Sequence, residues 1–161
     1  KDEKKRFTVK DCQLDTDEEV LIPDDYVSNI EERLNLYKEL NQIKDNDSLI
    51  SFEQKLKDRF GKLPDKIAIL FNAIKLRWVG KKLGFEKIVL KNNSLRAFFT
   101  TDKNSNYFES IYFKKIMNYL RENPNDCQVK ENRGKLSLRK EGIMEINQAL
   151  ELFNKLINQK T

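Results

Sequence analysis

The spacing of apolar residues changes at Gly84, and that change restricts the chain to folds joining a helical part to a part with strands. Before Gly84, apolar side chains recur every three or four positions, the period of a helix with one buried face. Ser28 has Glu31 three residues on, which predicts an N-cap with a capping box. The helix it opens carries Ile30, Leu34, Leu36, Tyr37, Leu40 and Ile43. The polar run 44–47 breaks it, and Asp47 or Ser48 caps a second helix bearing Leu49, Phe52, Leu56 and Phe60. Gly61 stops that helix, because glycine accepts the left-handed conformation of a C-terminal cap. Pro64 suits the first turn of a third helix, which runs to about Leu83 with Gly84 as terminator. Ile67, Leu70, Phe71, Ile74, Trp78 and Val79 give that helix a broad apolar face. Lys75, Arg77, Lys81 and Lys82 lie on its other face.

After Gly84 the runs are short and bounded by turn residues. Residues 85–91 and 94–100 read as two strands of a hairpin about Asn92-Asn93. A polar loop over 101–106 leads to a helix with Phe108, Ile111, Tyr112, Ile116, Tyr119 and Leu120, ended by Asn123-Pro124-Asn125. Residues 126–131 and 135–140 form a second hairpin around Asn132-Arg133-Gly134. Gly142 leads into a last helix with Ile143, Ile146, Leu150, Phe153 and Ile157. At the other end, residues 1–6 are polar and expected to fray, and 7–13 read as a strand. Residues 14–19 read as an acidic loop, and Val20, Leu21 and Ile22 form an apolar run that Pro23 closes. The expected fold class is α+β, with an N-terminal helical part and antiparallel β-hairpins packed against helices. Its 161 residues are expected to form one domain over 1–161.

Residue chemistry excludes several functions. The chain has no histidine, so no Ser-His-Asp or Cys-His arrangement exists. Cys12 and Cys127 stand far apart without a CxxC, which argues against structural zinc and reads as two separate cytosolic thiols, with a Cys12–Cys127 disulfide as the alternative. Asp15 with Asp17, and Asp24 with Asp25, are carboxylate pairs, but an EF-hand-type loop also needs a central glycine and a terminal glutamate at fixed offsets. The five glycines form no phosphate-cradling group. No apolar run reaches the roughly 18–20 residues of a membrane span. With Lys1 and not Met at its start, the chain reads as part of a longer cytoplasmic protein.

Charge is uneven. Residues 1–61 carry 11 Lys and Arg against 16 Asp and Glu, whereas residues 62–161 carry 20 against 10. The acidic region 15–25 and the basic region 75–96 are candidate contact surfaces. In the second, Lys75, Arg77, Lys81, Lys82, Lys87, Lys91 and Arg96 supply charge for nucleic acid, and Trp78 or the Phe98-Phe99 pair supplies stacking. Trp78 lies on the apolar stripe, and adjacent Phe98 and Phe99 point to opposite sheet faces, so at most one of that pair is open.

Three ordered segments are more specific: Leu21-Ile22-Pro23-Asp24-Asp25-Tyr26-Val27, Arg33-Leu34-Asn35-Leu36-Tyr37, and Asp58-Arg59-Phe60-Gly61-Lys62-Leu63-Pro64. Together they resemble the C-terminal domain of the bacterial transcription-repair coupling factor (TRCF) family. There an I-P-x-x-Y segment, an R-L-x-x-Y helix and a D-R-F-G-x-x-P turn follow in this order. The specific residues cover roughly 20–85. Pro23, Tyr26, Arg33, Tyr37, Asp58, Arg59, Phe60, Gly61 and Pro64 carry the resemblance, and each has an ordinary scaffold role: strand end, ring anchor, helix cap or helix start. The resemblance implies a non-catalytic regulatory domain with no catalytic, cofactor or metal residues of its own. ATP and Mg²⁺ belong to the motor of the parent translocase. It further implies docking on an N-terminal UvrB-like module of the same polypeptide. That contact masks UvrA recruitment and restrains the motor until RNA polymerase and DNA engage, in transcription-coupled nucleotide excision repair. The alternative is an accessory nucleic-acid-binding domain using region 75–96.

Overall fold

The computed structural model describes residues 11–102 and 106–161. The described residues pack as two compact units. The helical unit is 19–74; the sheet unit joins 11–18 to 75–161. The readings placed on 1–6, and on 7–10 of the strand over 7–13, lie outside the described residues.

In the helical unit, α1 spans Ile30–Gln42, α2 Asn46–Phe60, and α3 starts at Asp65. Both first caps differ from expectation. Asn29, not Ser28, caps α1, its Oδ1 accepting from the Glu32 N–H at 2.9 Å. Asp45, not Asp47 or Ser48, caps α2, accepting from the Ser48 N–H at 2.8 Å. In each run several residues qualify as caps, and the burial of the following face decides between them. Leu36 and Leu40 of α1 are buried with Leu49, Phe52 and Leu56 of α2 and Ile67, Leu70, Phe71 and Ala73 of α3. Phe52 and Phe71 meet edge to face, ring centroids 6.2 Å apart. Ile30 and Leu34, expected on the buried stripe, are exposed instead.

α3 continues as Asp65–Leu83, and from Lys75 onward it belongs to the sheet unit. There follow β2 (Phe85–Lys91), β3 (Ser94–Phe99), a 3₁₀ turn at Tyr107–Glu109, α4 (Ile111–Glu122), β4 (Gln128–Asn132), β5 (Lys135–Glu141) and α5 (Ile146–Ile157). The first strand, β1, is Gln13–Thr16; it shares Gln13 with the 7–13 reading and otherwise falls in the expected acidic loop. At this sheet edge Asp15 faces solvent and pairs with Lys91, so acidic character does not exclude a strand. Strand order is β1-β2-β3-β5-β4. The β2–β3, β3–β5 and β4–β5 pairs are antiparallel, and β1 adds parallel to β2. Both hairpins turn through two residues at positive φ, Asn92-Asn93 and Arg133-Gly134.

One face of the sheet carries Ile88, Leu90, Leu95, Ala97, Phe99 and Leu138, all buried. Helices cover this face. Phe85 packs on Phe153 of α5 at 5.1 Å and on Phe99 at 5.0 Å, and Phe99 reaches Phe113 of α4 at 5.8 Å. Gly80 of α3 comes so close that an added Cβ would stand 3.0 Å from the Ile88 side chain. Ile143 is buried but precedes α5, and Phe108 and Ile111 are half exposed, not core. None of the described helices is long and apolar enough to cross a membrane.

Candidate functional site

In the helical unit the motif residues turn towards backbone. The Tyr26 hydroxyl shares its one proton between the Gly61 carbonyl at 2.8 Å and that of Leu56 at 3.1 Å, and its ring lies 5.7 Å from that of Phe60. Pro23 carries the turn before it: its carbonyl accepts from the N–H groups of Tyr26 and Val27, each at 3.1 Å. The Arg33 guanidinium donates to the Val27 carbonyl at 2.7 Å. The Tyr37 hydroxyl accepts from the Ile22 N–H at 2.6 Å. Arg59 pairs with Glu32 and sits 5.0 Å from the Phe60 ring centroid, and Asp58 accepts from Gln54 at 3.0 Å. Gly61, at φ +86°, ends α2, and the Pro64 carbonyl accepts from Ile67 in the first turn of α3. Folding thus brings Tyr26, Phe60, Gly61 and Arg59 to one place and ties Arg33 and Tyr37 separately to the 22–28 segment.

What this unit leaves outward is different in kind. Ile30 is 67% exposed and Leu34 56% exposed, one turn apart on α1. An open groove of about 350 Å³ lies along α1 and α2, with Glu31, Glu32 and Glu39 facing Lys55 and Arg59. Its charges are partly matched internally: Lys55 reaches Glu39 at 2.8 Å.

The remaining candidates are dispersed. Asp15 pairs with Lys91 at 3.0 Å, Asp17 accepts from the Asn92 N–H at 3.2 Å, and Asp24 and Asp25 lie exposed in a turn. Among the described residues no three His, Cys, Asp or Glu side chains form a metal-sized group. Cys12 and Cys127 are free, buried thiols, and burial pushes them up to about 12 and about 11. Asp126 accepts hydrogen bonds from Tyr119 and Lys140. Burial works against its charge, yet the bonds from Lys140 and Tyr119 prevail and hold it below the ordinary carboxylate value.

Region 75–96 does not stay together as a surface. Arg77 donates to the Cys12 carbonyl at 2.9 Å and to Asp11 at 2.8 Å. Lys75, Lys81 and Lys82 stay on α3, and Trp78 is half buried. Lys87 and Arg96 lie on the sheet face opposite the helices, where Phe98 is half buried and Phe99 points away into the core. Register adds partners that reading along the chain missed. Arg96 stands directly opposite Arg139, and Phe98 opposite Ser137. The alternation of Lys135, Ser137 and Arg139 on one strand face was the available signal; which strand they would face was not.

Residues 16–110 match the family model described as the TRCF domain. The chain belongs to the TRCF domain family. This TRCF domain is 37% identical over 68 residues to the transcription-repair-coupling factor of Escherichia coli (strain K12), covering 42% of this chain and 6% of that protein. It is 26% identical over 135 residues to the transcription-repair-coupling factor of Rickettsia prowazekii (strain Madrid E), covering 81% of this chain and 11% of that protein. The chain therefore spans only a small part of these relatives. A crystal structure of the C-terminal domain of a transcription-repair coupling factor superposes with a TM-score of 0.75 at 19% identity, over 91% of this chain and 92% of that one. That likeness establishes the α+β fold. The family match takes in the whole helical unit, β2 and β3, and stops before α4, so Arg133, Lys135 and Arg139 lie beyond it.

Proposed function

We propose that this TRCF domain is a non-catalytic regulatory module of a transcription-repair coupling translocase, acting in the cytoplasm. It docks reversibly on a UvrB-like N-terminal module of the same polypeptide. While docked, it covers the surface that recruits UvrA and restrains the motor; engagement with RNA polymerase and DNA releases it. The domain uses no cofactor of its own, and ATP with Mg²⁺ serves the motor. The family membership and the names of the relatives support this reading. Its motif residues, from Pro23 to Pro64, then act as the scaffold that holds the docking face.

The observation that carries the reading is the outward side of α1. Ile30 and Leu34 are two exposed apolar side chains one turn apart, with polar Glu31 and Asn35 next to them along α1. A small apolar centre with a polar rim is the build of an interface meant to open again. Tethering within one polypeptide supplies a high effective concentration, so a modest contact suffices.

The test is made in the full-length parent protein. Removing residues 1–161 is expected to raise UvrA affinity and polymerase-independent ATPase activity, and Ile30→Glu with Leu34→Glu to raise both part of the way. Unchanged UvrA affinity and ATPase activity after the deletion would refute the regulatory reading. A deletion effect that the double variant fails to reproduce would move the contact off α1.

A further inference from the structure

The sheet face opposite the helices carries charge that the fold does not use. Arg96 of β3 and Arg139 of β5 are direct cross-strand neighbours, with Cα atoms about 4.5–5.5 Å apart as such pairs are. Like charges placed this way destabilise a sheet. Arg139 donates to the Ser137 hydroxyl at 3.2 Å. Among the described residues no carboxylate pairs with Arg96, Arg139, Arg133 or Lys135. Lys87 and Lys130 extend the same face on either side, opposite Phe98 and Ser137 respectively.

At the centre of these cations lies the half-buried ring of Phe98. Its cross-strand neighbour Ser137 is small and buried, so the floor beside the ring is low. The result is an open groove of about 210 Å³ lined by Arg96, Phe98, Arg133, Lys135, Ser137 and Arg139. It is smaller than the roughly 300 Å³ at which pockets for drug-sized ligands begin. Among the described residues no other ring packs on Phe98 and no cation sits over it. The turn Arg133-Gly134 closes one end, and Arg133 is held at φ +52°, a conformation that an L side chain adopts at some cost.

We propose that this groove binds single-stranded nucleic acid. One unstacked base lies on the Phe98 ring, and the Arg96–Arg139 pair, Arg133 and Lys135 hold the phosphates around it. A phosphate between Arg96 and Arg139 turns their mutual repulsion into shared attraction. Base-on-ring stacking tolerates any sequence, because every base has a flat face. A duplex hides those faces, and an acidic protein would use the arginines but not the ring. Phe98 therefore distinguishes the proposed ligand from other polyanions. The site lies in the sheet unit and stands independently of the docking role given to α1.

The experiment titrates the whole chain into fluorescein-labelled twelve-nucleotide oligo-dT and oligo-rU, read by anisotropy. With about three phosphates held, one of them shared by Arg96 and Arg139, the log–log salt slope is about −2.1, so affinity falls about 20-fold between 50 and 200 mM salt. Phe98→Ala is expected to weaken binding about fivefold or more, and Phe98→Trp to retain it. Arg96→Gln with Arg139→Gln is expected to bring the slope to about −1.4. This double variant removes a like-charge pair and so keeps the sheet intact, which preserves the test if Phe98→Ala proves unstable. No binding of either at 50 mM salt overturns the proposal. So does a slope that the arginine variant leaves unchanged. Poly-glutamate competing equally while Phe98→Ala binds as wild type would assign the groove to an acidic protein instead, and also overturns it.

Discussion

Replacing Gly84 with alanine should cost far more than the loss of a flexible residue suggests. Gly84 sits at φ +96°, where a side chain strains the backbone by about 1–2 kcal/mol. An added Cβ would also run into the Tyr107 ring, meeting Cε1, Cζ and Cδ1, the last at 2.7 Å. That ring has nowhere to go. It is fully buried, its hydroxyl donates to the Leu83 carbonyl, and Phe99, Phe108 and Phe113 surround it with centroids at 6.0, 5.3 and 5.6 Å. Overpacking of this kind adds about 1–3 kcal/mol. The expected total is about 2–5 kcal/mol. With a urea dependence of about 2 kcal/mol per molar, the midpoint should fall by about 1–2.5 M. Gly134 is the control: it too has a positive φ, +76°, but nothing lies within 4 Å of its would-be Cβ. Gly134→Ala should show the backbone cost alone, a fall of about 0.5–1 M. Urea titration followed by circular dichroism and by Trp78 fluorescence measures both. Equal midpoint shifts in the two variants would refute the claim that the Tyr107 ring fixes the residue at 84.

Three further outcomes are expected. Tyr37→Phe removes the acceptor of the Ile22 N–H and should cost about 1–3 kcal/mol, with faster hydrogen exchange at the Ile22 amide; unaltered exchange would refute it. Cys12 and Cys127 have folded pKa values raised from 9.0 to about 12 and about 11, so the folded chain keeps protons that the unfolded chain releases. Their contribution is then complete below pH 9 and declines as pH rises towards 11–12, by up to about 1.4 kcal/mol per pH unit for each thiol. A Cys12→Ala, Cys127→Ala variant should show a flatter alkaline loss of stability, and an unchanged slope would count against this. Tyr26→Phe removes the hydroxyl proton shared by the Gly61 and Leu56 carbonyls and should lower stability by about 1–2 kcal/mol in urea titration; a loss below about 0.3 kcal/mol would show that water replaces it.

Elements bounded by glycine or by a two-residue turn were legible in the sequence. Gly61 and Gly84 end α2 and α3 as read, and Asn92-Asn93 separates β2 from β3. Those boundaries are local, set by backbone freedom within a few residues. What depended on tertiary contact was not legible. β1 is a four-residue edge strand whose solvent-facing residues are Gln13 and Asp15, so its sequence carries little alternation signal. Ile30 and Leu34 match the helical period but lie outward, because Leu36 and Leu40 define the face that packs. The motif residues could be read as scaffold candidates from residue type, but the pairing of Tyr26 with Gly61, or of Tyr37 with Ile22, required the fold. The Arg96–Arg139 pair depends on strand order across the β3–β5 junction, which alternation within one strand cannot give.

The parallel pairing of β1 with β2 has a consequence for how the chain assembles. β2 and β3 meet across a two-residue turn, as do β4 and β5, so each hairpin closes a short loop. β1 meets β2 only after the whole of 19–74 has been spanned, a longer and entropically slower closure. During synthesis Gln13–Thr16 emerges first, yet its partner Phe85–Lys91 emerges only after the entire helical unit. The strand that begins the sheet in sequence therefore has no partner until β2 has been made, and it waits unpaired through the synthesis of 19–74.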